Sequence, residues 1–220
     1  MPRVLMIVTS TGTLPDGGPT GLWLEEFAVP ALVLGEAGAE LVVASPRGGA
    51  APVDPRSERD PDKHPGWAEA ARALADTVAL DSVRADEFDA VFIAGGHGTM
   101  FDFPGHPALA RLLADVHAQG KPIAAVCHGP AAFVGVVRAD GRPLVDGYTI
   151  TAFSDLEEKL VKLDDAVPFL LSARLRELGA TVQNGVPVLA NVREDRQLIT
   201  GQNPKSSREA AERLVRRLRT

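Results

Sequence analysis

With 220 residues, 45% hydrophobic and 24% charged, the chain has ordinary globular composition and length for one medium domain with a sizeable core. A net charge of −6 repels phosphate backbones, so nucleic acid is not an expected partner. No apolar run approaches the roughly 20 residues that span a bilayer. One cysteine excludes an internal disulfide and a multi-cysteine zinc site, which makes the cytoplasm the expected compartment.

Taken in chain order, apolar runs alternate with helical ones. Residues 3–8 read as a buried first strand rather than a signal peptide, because no small-residue cleavage site follows. A turn-rich stretch over 10–20 leads to a helix over 22–38 and a strand over 39–44. Residues 46–66 are rich in Pro, Gly, Asp and Arg and predict a long inserted loop, a kind of segment that often carries function. A helix is predicted over 67–86, a strand over 89–94 ending in Gly95-Gly96, a helix over 106–119, and a strand over 122–126 that runs into Cys127. Beyond it, 148–153 suits a strand. Residues 167–178 suit a helix with Pro168 in its first turn, and 188–192 with 197–200 suit a hairpin turning at Arg193-Glu194-Asp195. The last helix starts near Ser206, with Glu209 at capping-box spacing. Its arginines, Arg213, Arg216, Arg217 and Arg219, read as a solvated face complementing the helix dipole. Nearly continuous apolar strands alternating with helices predict an α/β domain over 1–220, a mostly parallel sheet covered on both faces.

The lone cysteine sits where chemistry is expected. A buried strand ends at Cys127, and His128, Gly129 and Pro130 follow before a run able to form a helix. A sharp turn there presents sulfur at the carboxyl edge of the sheet, the edge at which open α/β sheets bind ligands. A helix N-terminus beyond it favours the thiolate. The plainer alternative is a structural cysteine at a strand end, since free Cys is among the most buried residue types. His128 beside it is a reasonable acid–base partner, and a turn residue otherwise.

Four segments in order carry a family resemblance. They are Ala125-Val126-Cys127-His128-Gly129-Pro130, Gly21-Leu22-Trp23-Leu24-Glu25-Glu26-Phe27-Ala28-Val29-Pro30, Gly95-Gly96-His97-Gly98-Thr99, and Thr200-Gly201-Gln202-Asn203-Pro204. Together they resemble the PfpI and glyoxalase III-like (heat-shock chaperone type) group of the class I glutamine amidotransferase-like superfamily. The resemblance spans nearly the whole chain and implies a flavodoxin-like sandwich. It implies Cys127 as nucleophile, His128 as proton shuttle and a glutamic acid from the first helix against the sulfur. Glu25 and Glu26 both share a helix face with Leu22 and Val29. The family's spacing to Pro30 favours Glu26 and leaves Glu25 as a solvated charge. Desolvated beside the sulfur, Glu26 is expected to have a raised pKa. The third triad member implied is Glu158, with Asp155 the alternative; both also fit an N-cap and its capping-box partner. The N–H groups of Gly96 and His128 are expected to face a developing oxyanion, with Gly95 beside them. His97, Met100 and Phe101 are candidate pocket residues, with turn packing the alternative, and Trp23 reads as core packing ahead of a pocket wall or a dimer contact. His64 and His106 lack metal-ligand spacing, and neither a metal nor an organic cofactor is expected.

No late His-x-Glu pair of true amidotransferases is present, nor a synthetase domain. The resemblance therefore implies glutathione-independent conversion of methylglyoxal, or a related 2-oxoaldehyde, to a 2-hydroxy acid. It also implies a homodimer. The alternatives are a stress-response holdase for unfolded clients or an oxidation sensor, and a PfpI-type cysteine peptidase or amidohydrolase.

Overall fold

Short runs of branched apolar residues form the middle of the sheet, and the helices cover them. The computed structural model describes residues 1–58, 64 and 66–219. Strand β1 (Arg3–Ile7) leads to α1 (Leu24–Glu36) and β2 (Glu40–Ser45), then to α2 (Trp67–Ala71), β3 (Val78–Ala79) and β4 (Ala90–Ile93). Helices α3 (Thr99–Asp102) and α4 (Pro107–Ala118) precede β5 (Ile123–Val126). The chain then forms β6 (Thr149–Ile150), α5 (Asp155–Val161), α6 (Leu171–Glu177) and β7 (Thr181–Val182). It ends with β8 (Val192–Asp195), β9 (Leu198–Gly201) and α7 (Ser207–Leu218).

Seven strands pair in the order β3-β2-β1-β4-β5-β9-β8, all parallel except the β8/β9 hairpin. The side-chain period of two splits the central strands between two cores. Leu5, Ile7, Val91, Ile93, Ile123 and Ala125 face α4, whose Leu109, Leu112, Leu113 and Val116 repeat at helical spacing. Val4, Met6, Phe92, Ala124 and Val126 face α1 and α7 through Phe27, Leu34, Ala210 and Leu214. Full burial of each Leu or Phe contributes about 1.5–3 kcal/mol, so both faces are firmly closed. The strand order reverses between β1 and β4. That is a topological switch point, and sheets of this kind bind ligands beyond the carboxyl ends of their strands.

The predicted α/β sandwich is present, and several local expectations are corrected. The helix expected over 67–86 is only α2, followed by single turns and β3. Thr77 leaves the helical path to exchange backbone bonds with Gly49, which starts an edge strand instead. The strand expected over 148–153 shortens to β6, which pairs with β7 outside the main sheet. Helix α6 begins at Leu171, so Pro168 precedes it. Arg193, Glu194 and Asp195 lie in β8, and the hairpin turns at Arg196, which takes a positive φ of 52°. Ser206 makes no cap bond to α7; its hydroxyl instead joins Asn191 and Asn203. Of the loop expected over 46–66, residues 59–63 and 65 lie outside the described residues. Its first part pairs with the segment before α1 through an isolated bridge between Leu22 and Val53 and makes one turn at Pro55–Ser57. Among the described residues, no helix is long and apolar enough to cross a membrane.

Candidate active site

Cys127 follows β5 directly and takes φ +58°, the left-handed region that non-glycine residues seldom adopt. Its N–H donates to Gly201 of β9 at 2.8 Å, and its carbonyl accepts from Phe153 at 2.9 Å, so neighbours on both sides hold the turn. A single turn over Gly129–Phe133 follows, in place of the expected longer helix. The sulfur is not freely exposed: Cys127 is 4% accessible. Burial pushes its thiol well up, and the adjacent Glu26 pushes it further. The His128 N–H opposes both without prevailing. The backbone donor after the strand thus favours the thiolate, and desolvation outweighs it.

Glu26 lies in the first turn of α1, fully buried, and accepts from the Gly95 N–H at 2.8 Å. Burial raises its carboxyl well above the usual range; interactions with Cys127 and Gly95 offset this only in part. Its buried Oε1 makes no well-directed hydrogen bond, yet the carboxyl and the thiol are close enough to shift one another. Glu25 differs from expectation: it is half-buried and lines the cavity, and burial raises its pKa too.

Glu158 organises the other side. Its Oε2 lies 2.7 Å from His128 Nε2 and its Oε1 lies 2.8 Å from His97 Nε2. Burial works against its charge, but the attraction of His128 and hydrogen bonds from both imidazoles hold the carboxyl well below the ordinary range. An ionised carboxylate only accepts, so both Nε2 atoms carry hydrogen. His128 Nδ1, the other ring nitrogen, lies 3.3 Å from Cys127 Sγ and carries no hydrogen in the neutral ring. Burial, with His128 alongside, pushes His97 down to about 4, so it is neutral near pH 7. The capping box of α5 is Ser154 with Glu157, one residue before the expected Asp155–Glu158 pair. That register frees Glu158 to face inward, while Asp155 bonds Ala173 and Arg176.

The glycine pair permits the approach. A Cβ on Gly95 would lie 2.5 Å from Glu26 Oε2 and 2.7 Å from the His128 nitrogen; on Gly96 it would lie 2.4 Å from the Gly21 carbonyl. Gly96 takes φ +105°, and among the described residues its N–H has no protein acceptor. Gly96, His97, Cys127 and His128 border one cavity of about 510 Å³, which Trp23 also lines rather than packing in the core. Met100 is core and His106 caps α4, while His64 stacks on Trp67 at 3.9 Å. Among the described residues, His97, His128 and Glu158 form a close group of metal-type donors. An ion there would have to displace the bonds that orient both imidazoles.

Sequence reasoning missed Arg56, Glu157 and Val188, which also line the cavity. Arg56 is clamped to buried Asp54, its Nε 2.9 Å from Oδ1. Only the length of its loop hinted at a role.

The chain is similar to several known proteins. The chain is 34% identical to the glutathione-independent glyoxalase HSP31 of Saccharomyces cerevisiae over 66% of its length and 63% of that relative's. It is 33% identical to the glutathione-independent glyoxalase hsp3101 of Schizosaccharomyces pombe over 97% of its length and 95% of the relative's. The crystal structure of glyoxalase III from Candida albicans superposes with a TM-score of 0.88 at 29% identity, covering 97% of this chain and 96% of that one. The DJ-1/PfpI family model matches residues 21–217. The chain therefore belongs to the DJ-1/PfpI family.

Proposed function

We propose that this protein is a glutathione-independent glyoxalase that converts methylglyoxal or a related 2-oxoaldehyde to a 2-hydroxy acid. One observation carries the reading: Cys127 lies between a buried carboxyl with raised pKa, Glu26, and an imidazole, His128, fixed by an ionised carboxylate. Addition, proton transfer and hydrolysis need only these groups and water. The names of the relatives support the same chemistry.

His128 Nδ1 takes the thiol proton as Sγ bonds to the aldehyde carbon, and Glu26 protonates the aldehyde oxygen. The product is a hemithioacetal. The Glu26 carboxylate then removes the proton from C1, and the electron pair moves to the ketone oxygen, which His128 protonates to give an enediol. Return of the proton from Glu26 to C2, with loss of the C1 hydroxyl proton to His128, leaves a thioester. Water attacks that thioester with the Glu26 carboxylate as base, and protonated His128 returns its proton to the departing sulfur, which releases the 2-hydroxy acid and restores the thiol. The Gly96 and His128 N–H groups face the oxyanion of this last step.

The test is D-lactate formation from methylglyoxal without glutathione. Wild-type protein forms it and Cys127→Ala does not; full turnover by the variant would falsify the mechanism. Release of product from small amides, but not from 2-oxoaldehydes, would favour a hydrolase instead. A lone reduced thiol suits the cytoplasm, and the family resemblance supports a homodimer, which sedimentation checks. Leu156, Val186 and Leu189, all more than half exposed, offer apolar surface to unfolded clients.

A further inference from the structure

The cavity is far larger than a three-carbon substrate requires, at about 510 Å³, within the range of sites that enclose much larger molecules. Its inner end is Cys127 and His128. Phe153 lies tilted against His128, with ring centroids 4.4 Å apart. Outward from there, Leu160, Val161, Val188 and Pro204 continue an apolar wall. Leu160 and Val188 are 60% and 61% exposed, at a cost that packing elsewhere in the molecule does not explain. Six of the nine exposed large apolar side chains among the described residues lie on α5 or at 186–189.

Val188 is the informative member. Its φ is +58°, a genuine outlier for a β-branched residue. It is held there by Glu157, whose Oε1 accepts from the Val188 N–H at 2.9 Å. Glu157 is itself fixed by the Ser154 hydroxyl at 2.6 Å, Gln202 at 2.8 Å and Asn203 at 2.9 Å. Buried polar groups thus keep an isopropyl group on the wall in a conformation that glycine would adopt freely. Such strain, retained on the wall of the cavity that Cys127 also borders, points to a ligand contact.

We infer that this wall is the subsite for the substituent of the 2-oxoaldehyde, that the preferred substrates carry an alkyl or aryl group larger than methyl, and that Val188 determines this specificity. The inference rests on the glyoxalase reading. The substituent lies along Phe153, Leu160 and Val188 while the aldehyde meets Cys127.

The experiment compares kcat/KM for phenylglyoxal and methylglyoxal in wild type, Val188→Gly, Leu160→Ser and Val188→Ile. The wild-type ratio is expected to favour phenylglyoxal. Val188→Gly and Leu160→Ser each lower that ratio about tenfold, the discrimination one or two methylene contacts supply, mainly through KM. Val188→Ile retains it. Glycine suits a positive φ, so Val188→Gly is expected to melt no lower than wild type, and a fall in the ratio then reports a lost contact rather than misfolding. A wild-type ratio below one, or a ratio unmoved by both variants, overturns the inference and leaves the glyoxalase reading intact. Loss of concentration-dependent association in the variants with an unmoved ratio assigns the wall to an interface and overturns it as well. Turnover of neither aldehyde overturns both readings.

Discussion

Glu158 is the residue on which the site's proton arrangement depends. It receives two imidazole N–H groups, one on each oxygen, and so sets which nitrogen of His128 faces the sulfur. Glu158→Gln keeps the shape but offers one acceptor where two are needed. Its kcat for 2-oxoaldehyde turnover is expected to fall by about 100-fold or more, the scale of a lost general acid–base function, with little change in KM. Steady-state kinetics on the purified variant checks this. Gly95 makes a second case. A methyl group there meets the Glu26 carboxylate, the His128 nitrogen and the Val126 carbonyl at once, and the last two are backbone. Gly95→Ala should abolish activity and lower the urea midpoint, and an active alanine variant would show that the Glu26–Gly95 approach is not required.

Capping decides the register of α5. Ser154 accepts from the Glu157 N–H, and Glu157 returns to the Ser154 N–H, so the helix starts where Glu158 turns inward. Ser154→Ala removes the cap and a hydroxyl bond to a buried carboxylate, and should cost about 1 kcal/mol of stability, measured by denaturant unfolding. The sequence showed this helix only loosely, because both Ser154/Glu157 and Asp155/Glu158 have cap-box spacing, and only tertiary contacts choose between them. The strands ending at Ile93 and Val126 were legible, since four consecutive buried apolar residues bounded by glycine or proline leave few alternatives. Cys127, His128, Glu26 and the glycine pair, which the structure brings together, stood out in the sequence because they lie inside short local motifs. The region 67–86 was not: its Ala-rich composition suits helix, but pairing with Gly49 and β2 diverts it, and no local pattern encodes that partner. Arg56 and Val188 reach the cavity from distant loops, so they left no local trace.

At the scale of the whole molecule, one sheet draws strands from residue 3 to residue 201, with cores on both faces. We expect it to unfold as one domain, in a single calorimetric transition whose van't Hoff and calorimetric enthalpies agree; two resolved transitions would contradict this. Acid stability should carry the mark of His97. Its folded pKa is about 4 against an ordinary 6.5, so between those values the unfolded chain binds the extra proton. Stability from this group is present above pH 6.5 and lost as pH falls toward 4, with a slope of about 1.4 kcal/mol per pH unit at most. His97→Gln should flatten the acid limb by about one proton, read from unfolding free energies across that window. The two margins of the sheet differ in how they would receive another strand. β3 is two residues long, and β8 presents Arg193, Glu194 and Asp195. A margin so short, and another so charged, make a poor template for continued strand addition. Copies of this protein that meet are therefore expected to do so through helices and loops rather than by continuing the sheet.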